Sequence, residues 1–475
     1  MFENMLGQHA ADVLTADIQN NVLPPSLLFH GPEASGKSSA ALETARILSC
    51  KNKGEWTCAC RSCITHKDLS SKDLLVIGPR PFNAEILACS KAYMRDFQMP
   101  SAKILFLRSL RKLLMRFSQI IWEGESEVSK FNALLESIND TIDRFCRADV
   151  ELRNNENSND DTDGTPAVLP APLEKIVNTL VKDALKLEVA GINDMIPVAH
   201  IRRAAYWLHL TPDGKRKTLI IENAERMKDE ARNSLLKTIE EPPPSAQIIL
   251  CTAKPGSLLP TILSRLRPYQ FFTRKPETEA EIIRRVFRDP EAAAAALDAG
   301  CAAAEENGAA HKNTAVSLVS NYLDGFLPVP KDSLPPLAAL FAQTLAAAVS
   351  ADPPAAGLVS SALAELRERG KERCEKAGLD TGKNSYAEVC AFIIEKCEKF
   401  QTRRLYGDFI AALQQFVFEA TMGKSGVVSP GTLRLCELFR SKGAYSVSAV
   451  TVYNQNALYA LEKLFLDLKE SICRL

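Results

Sequence analysis

Apolar positions along this chain shift between the periods of strands and of helices. SLLFH (26–30) is a short continuous apolar run after Pro24 and Pro25, which predicts a buried strand. SSAALETARIL (38–48) then carries helical spacing in good helix formers. DLLVIG (73–78) predicts another buried strand. From residue 196 the alternation becomes regular. IPVAHIRRAAYWLHL predicts a helix, TPDGKRK a turn, TLIIENA a strand, DEARNSLLKTIEE a helix, AQIILCTA a strand, and LLPTILSRL the next turn and helix. Strands alternating with helices predict an α/β fold with a parallel sheet covered on both faces.

Between these regions, residues 79–190 read as a helical and disordered insertion. Its polar run, RNNENSNDDTDGTPAVLPAP (153–172), has almost nothing to bury and predicts a flexible segment. AKILFLRSLRKLLMRFSQII (102–121) places Ile104, Leu107, Leu110, Leu114, Phe117 and Ile121 on one helical face, with Lys103, Arg108, Arg111, Lys112 and Arg116 mostly elsewhere. That is a helix packing on its own domain with solvated charges. After about 275 strand signals fade, and the rest reads as mostly helical with a loop-rich break around 325–358.

Composition adds limits. Hydrophobic residues are 46% and charged residues 24%, ordinary for a globular chain. With 58 basic and 58 acidic residues, no overall basic field marks the whole surface as nucleic-acid binding. No stretch has the length and apolarity of a membrane span, and the N-terminus lacks a secretory pattern. The thirteen cysteines are mostly scattered singly, as in a reducing cytoplasmic setting.

The candidate chemistry begins at Gly31-Pro-Glu-Ala-Ser35-Gly36-Lys37-Ser38-Ser39, which fits the phosphate-loop pattern at every required position, between a predicted strand and helix. Its glycines let backbone N–H groups curl around an anion. Lys37 can reach the β and γ phosphates of ATP, and the Ser38 hydroxyl can serve Mg2+. An acid that positions the metal is expected at the end of a later strand, often followed by a glutamate that activates water. Here Thr218-Leu-Ile-Ile221 is that strand and Glu222 its acid, but the next residue is Asn223. An amide cannot act as a general base. Binding is expected and efficient turnover is not. Glu225 lies three residues beyond Glu222, without an assigned role.

Cys50, Cys58, Cys60 and Cys63 form the one tight cysteine cluster. Four thiolates suit a tetrahedral structural Zn2+, and His66 could replace one ligand. No nearby residue suggests a catalytic metal.

Taken together, Gly7-Gln8, LPPSLLFHGPEASGKS, IIENAERMKDEARNSLLKTIEEPPPSAQIILCTA and LLPTILSRLRP resemble the AAA+ subunits of bacterial DNA polymerase III clamp loaders, most closely the delta-prime type and also gamma/tau. YNQNALYALEKL (453–464) resembles the last collar helices of that family. The resemblance covers about 1–78 and 196–275, and leaves 79–190 without a counterpart. It implies an AAA+ phosphate-loop domain over 1–275 with a zinc module at 50–66, a small helical lid over 276–325, and an all-α collar over 326–475. Family members carry cysteines at this same place, spaced C-x8-C-x2-C-x2-C, whereas this chain has C-x7-C-x-C-x2-C, so Cys58 sits one place off. Ser264-Arg265 matches the family's Ser-Arg-Cys motif with Leu266 in the third place, which implies that Arg265 reaches a neighbouring subunit's ATP. Thr252 falls where AAA+ proteins carry a polar strand-end residue near the γ-phosphate. The implied partners are gamma/tau and delta subunits, the sliding clamp and primer-template DNA. Alternatives are a gamma/tau-like ATPase motor and an AAA+ switch or scaffold outside clamp loading. Arg202, Arg203, Lys215, Arg216 and Lys217 could touch DNA phosphates, but read first as helix and turn charges.

Overall fold

The computed structural model describes residues 1–124, 128–156, 169–191, 195–306, 317–326, 334–350, 359–379, 385–398, 402–421, 429–451 and 455–474. Five strands form one all-parallel sheet: β1 (Ser26–His30), β2 (Leu74–Ile77), β3 (Lys217–Ile221), β4 (Ala246–Thr252) and β5 (Arg267–Gln270). The spatial order is β2-β3-β4-β1-β5. Strands β2, β3 and β4 are buried along their whole length, as continuous apolar runs in a two-sided parallel sheet must be. Strand β5 was not anticipated. RPYQ is charged and contains Pro268, and only Tyr269 is buried. It lies at the sheet edge, the position where proline is tolerated. The helix expected before it is only Pro260–Leu263.

Alternate residues of each strand point to opposite faces. Leu28 packs with Leu75, Ile77, Leu219, Ile221 and Leu250 on one face. Leu27 and Phe29 pack with Val76, Ile220, Ile249 and Cys251 on the other. Helices His9–Gln19 and Lys37–Ser49 cover the second face through Ala10, Leu14, Ala40 and Ala41. Helices from the middle of the chain, including Val198–Leu208 and Asp229–Glu240, contribute to the first.

Residues 79–190 differ from the expected disorder. Helices Asn83–Arg95, Pro100–Leu114, Val128–Glu156 and Ala171–Gly191 all join the first core. Ile138, Ile142 and Phe145 on one long helix, with Val177, Leu180, Ala184 and Leu187 on the other, are buried at helical spacing. Asp149 ties the longer helix down, accepting from Tyr93 Oη and Lys103 Nζ, each at 2.8 Å. Both ends of the polar 153–172 run are helical, as continuations of the flanking helices; its residues 157–168 lie outside the described residues. The 102–121 stretch is also not one helix. It ends at Leu114 and continues as a 3-10 turn, Met115–Phe117, and a short helix, Gln119–Trp122. Phe106, Leu110 and Leu113 are buried, whereas Ile104 is exposed.

The chain divides into two compact units, Met1–Leu327 and Pro328–Leu475. In the first, helices Pro276–Val286, Pro290–Glu306 and Leu318–Asp324 follow the sheet. The described part of the second is helical, with Phe341, Leu366, Ile393, Phe409, Leu461 and Phe465 in its core. The expected break at 325–358 is interrupted by helix Leu334–Ser350, whose apolar LAALFAQTLAAAV run is largely buried. Prolines at its start are tolerated, since first-turn N–H groups have no intrahelical acceptor. Residues 327–333 and 351–358 of that break lie outside the described residues.

Candidate functional site

The sheet register aligns the carboxyl ends of the central strands. His30 pairs with Thr252 across β1 and β4, and Ile77 with Ile221 across β2 and β3. This is the edge of an open parallel sheet where ligands are usually held. The phosphate loop leaves β1 here. Gly31 has φ +151°, and a Cβ on it would lie 2.1 Å from the Phe271 carbonyl oxygen. Gly36 has φ +95°, and a Cβ there would lie 2.4 Å from Arg274 Nη2. Gly31 therefore needs glycine for conformation and for space against backbone, and Gly36 for conformation. Arg274 spans the loop, donating to Ala34 O at 2.8 Å and to Leu6 O at 2.9 Å. Ala34 itself has φ +56°, a conformation uncommon outside glycine.

Lys37 is turned back on its own loop. Its Nζ donates to Gly31 O at 2.7 Å, to Pro32 O, and to Ser35 Oγ at 3.4 Å. Burial lowers its pKa, opposed by the nearby charges of Glu33 and Glu225. Ser35 Oγ donates to Pro32 O at 2.8 Å. Ser38 and Ser39 lie in the first turn of the Lys37–Ser49 helix, where Ser39 is exposed.

Glu222 lies just beyond β3 and is 4% exposed. It is held by two arginines that spacing in the sequence did not single out. Arg116 Nη2 pairs with its Oε2, and Arg80 Nη1 with its Oε1 at 3.4 Å. Burial would raise the Glu222 pKa, yet Arg116 and then Arg80 hold it below the ordinary carboxylate value. Arg80 also pairs with Glu85 at 2.7 Å, and Lys112 closes the cluster from the other side of Glu85. The charges expected to be solvated on this stretch are instead engaged: Arg116, in the 3-10 turn, is buried against Glu222, Lys103 pairs with Asp149 and Lys112 with Glu85, and Arg108 donates to Lys67 O. With both Glu222 oxygens facing guanidinium groups, these residues do not fit a divalent cation.

Asn223 is in the left-handed region, with φ +51°, and its Nδ2 donates to Pro79 O at 3.3 Å. Thr252 Oγ1 donates to Glu225 Oε2 at 2.6 Å. The fold thus brings Gly31, Ser35, Gly36, Lys37, Ser38, Glu222 and Thr252 to one strand-end edge, and adds Arg80, Arg116, Glu225 and Arg274. Arg265 is elsewhere in its bonding: it pairs with Glu240 at 2.8 Å and donates to Thr261 O at 2.7 Å, and is 39% exposed. The basic residues considered for DNA are partly engaged within the unit. Arg203 donates to Ile121 O, Lys215 to Cys50 O and Arg216 to Gln247 Oε1, while Lys217 pairs with Asp73.

The four clustered cysteines converge. The sulfurs of Cys50, Cys58, Cys60 and Cys63 all lie within 4.8 Å of one another, with Cys50 and Cys58 3.7 Å apart. Tetrahedral thiolates at about 2.3 Å from zinc are about 3.8 Å apart, so the donor set fits Zn2+. His66 is not part of the group; its Nδ1 contacts Ser62 O at 2.8 Å. Cys50 ends the Lys37–Ser49 helix, while Cys60 and Cys63 flank the start of Arg61–Lys67. Outer partners are in place: Asn52 Nδ2 donates to Cys58 Sγ, and Arg46 Nη1 to Cys63 Sγ, both at 3.2 Å. The Lys51 backbone amide holds the Cys60 thiol down at about 6, whereas burial pushes Cys63 up to about 12.

The fold and the loop define a phosphate-loop α/β protein with a cysteine cluster beside its first helix. The family described as "DNA polymerase III, delta subunit" matches residues 7–128 and 150–275, and the chain belongs to that family. The match takes in 79–128 and 150–190, which the resemblance had left without a counterpart. The chain is 33% identical over 126 residues to the DNA polymerase III delta' subunit of Escherichia coli, covering 26% of this chain and 33% of that protein. It is 28% identical over 104 residues to the gamma/tau subunit of Mycobacterium bovis, covering 22% and 18%. The matched stretches thus span well under half of these relatives. A gamma subunit-related DNA polymerase III protein of Thermotoga maritima superposes with a TM-score of 0.28 at 16% identity, over 59% of this chain and 81% of that one. No described helix is long and apolar enough to cross a membrane.

Proposed function

We propose that the chain works as a delta-prime-type clamp-loader subunit that holds a nucleotide and does not turn it over. Family membership supports the clamp-loader part. The single observation that carries the second part is the state of Glu222, whose two oxygens face Arg116 and Arg80 and whose neighbour is the amide Asn223. The residue that directly follows the strand-end acid is an amide, which cannot take a proton from water, and this disfavours the gamma/tau-like motor. The ATP phosphates would lie against backbone N–H groups between Glu33 and Ser39, with Lys37 leaving its loop carbonyls for the β and γ oxygens. Thr252 is poised at the end of β4 for the γ-phosphate.

In this reading residues 1–275 are the AAA+ domain, 276–325 the lid and 326–475 the collar. Arg265 serves a neighbouring subunit. It is exposed, and its pair with Glu240 is of the surface kind worth about 1 kcal/mol or less, so releasing it costs little. A guanidinium there can fork onto phosphate oxygens. Zn2+ at the four cysteines is structural. Gamma/tau and delta subunits are the partners, and the sliding clamp and primed DNA are what the complex acts on.

Reconstitution with gamma/tau and delta tests this. The wild-type chain should join the complex and support its DNA-stimulated ATPase. Arg265→Ala should still assemble but lower that ATPase by about tenfold or more, the scale of an arginine finger's contribution. Alone, the chain should bind ATP with little hydrolysis, and Lys37→Ala should abolish the binding. Clear turnover by the isolated chain, lost in Lys37→Ala, would overturn the holding role.

A further inference from the structure

We propose that Arg116 and Arg80 take the place of the divalent cation, so that nucleotide held on this loop needs no Mg2+. The inference rests on the nucleotide-holding reading and deepens it. In a phosphate-loop site the metal neutralises the β and γ phosphates, and the loop hydroxyl and the strand-end acid position it. Here the same acid is used up. Glu222 is buried, and Arg116 lies against one oxygen and Arg80 against the other. A dication would have to displace a guanidinium from a buried pair, and breaking such a pair strands an uncompensated charge.

Arg116 is itself committed to this pair. It is 7% exposed, and among the described residues its Nε and Nη1 are enclosed with no hydrogen-bond partner, so Glu222 is what its side chain is held by. Buried guanidinium N–H groups without acceptors are rare, because each costs its full desolvation, and handing Glu222 to a metal would take away the acceptor that Arg116 has.

The local charges also favour an anion. Lys37, Arg80, Arg116 and Arg274, at the loop and at Glu222, set four positive charges against Glu33, Glu222 and Glu225, with Lys112 and Glu85 cancelling. The net positive charge comes from the chain itself, and three of the four cations lie outside the phosphate-loop motif.

Isothermal titration of the full chain with ATP, in excess Mg2+ and in EDTA, decides the matter. The expected affinities agree within about threefold, and Arg116→Met, which frees one Glu222 oxygen, makes Mg2+ raise ATP affinity by about tenfold or more over EDTA. If the wild type loses about tenfold or more in EDTA, the substitution of arginine for metal is wrong while nucleotide holding stands. If ATP binds in neither condition, nucleotide holding falls and this inference with it. Should Arg116→Met not fold, the wild-type comparison alone still decides.

Discussion

Glu85 shows how far single charges in this protein depend on their neighbours. Burial by itself would raise its pKa, but Lys112 and then Arg80 hold it down to about 2. A carboxyl depressed in the folded state stabilises the fold above its unfolded value of about 4.3 and loses that contribution as pH falls through the folded value. The acid limb of a denaturation profile should therefore steepen between about pH 4.3 and pH 2. Glu85→Gln should be less stable at neutral pH and lack that part of the slope; urea midpoints measured across the range would check it. The same residue scale is where the sequence was least legible. Glu222 could be found from its strand, but Arg116 is 106 positions away in the chain and was read as a solvated charge. Nothing in a helical repeat announces that the helix stops at Leu114 and turns its next arginine inward.

At the scale of elements, the cysteine module and the phosphate loop share one helix. Lys37–Ser49 begins at the loop and ends at Cys50, and Arg46 near its end reaches Cys63 Sγ. Lys215, in the turn before β3, donates to Cys50 O at 2.7 Å and ties the module to the sheet. If the cluster holds Zn2+, its binding energy is folding energy for this corner. Metal analysis of the purified chain should find about one Zn2+ per chain, the number that four thiolates hold. Chelation, or Cys63→Ser, should lower the thermal midpoint and expose the 50–66 segment to protease; an unchanged midpoint on metal loss would show that the module is held by Arg46 and its neighbours alone. The four cysteines read from the sequence do lie together despite the shifted spacing, because four sulfurs can converge through several loop lengths. It missed β5, whose proline and charges make sense only at a sheet edge.

For the whole molecule, the two compact units each contain buried apolar clusters of their own. A unit with its own core can unfold cooperatively by itself. Residues 1–327 expressed alone should therefore retain a cooperative thermal transition by circular dichroism, and under the nucleotide-holding reading should still bind ATP. A non-cooperative melt would mean that the sheet depends on the C-terminal unit. The helical content of that unit was legible from its Ala- and Leu-rich periodicity. The break expected at 325–358 is interrupted by Leu334–Ser350, whose apolar run is buried and whose two prolines fall in the first turn, where they remove no intrahelical hydrogen bond.

Local physics explains what the sequence determined alone. Glycine is required wherever φ is positive and backbone approaches closely, so GPEASGKSS declared its loop. Continuous apolar runs declared β1 to β4. The tertiary structure decided what those parts do together. It delivered Arg80 and Arg116 to Glu222, Glu225 to Thr252 and Arg274 to the loop, across separations that no local pattern encodes. Whether a strand-end acid meets a metal or a guanidinium depends on which charges the packed core carries to it.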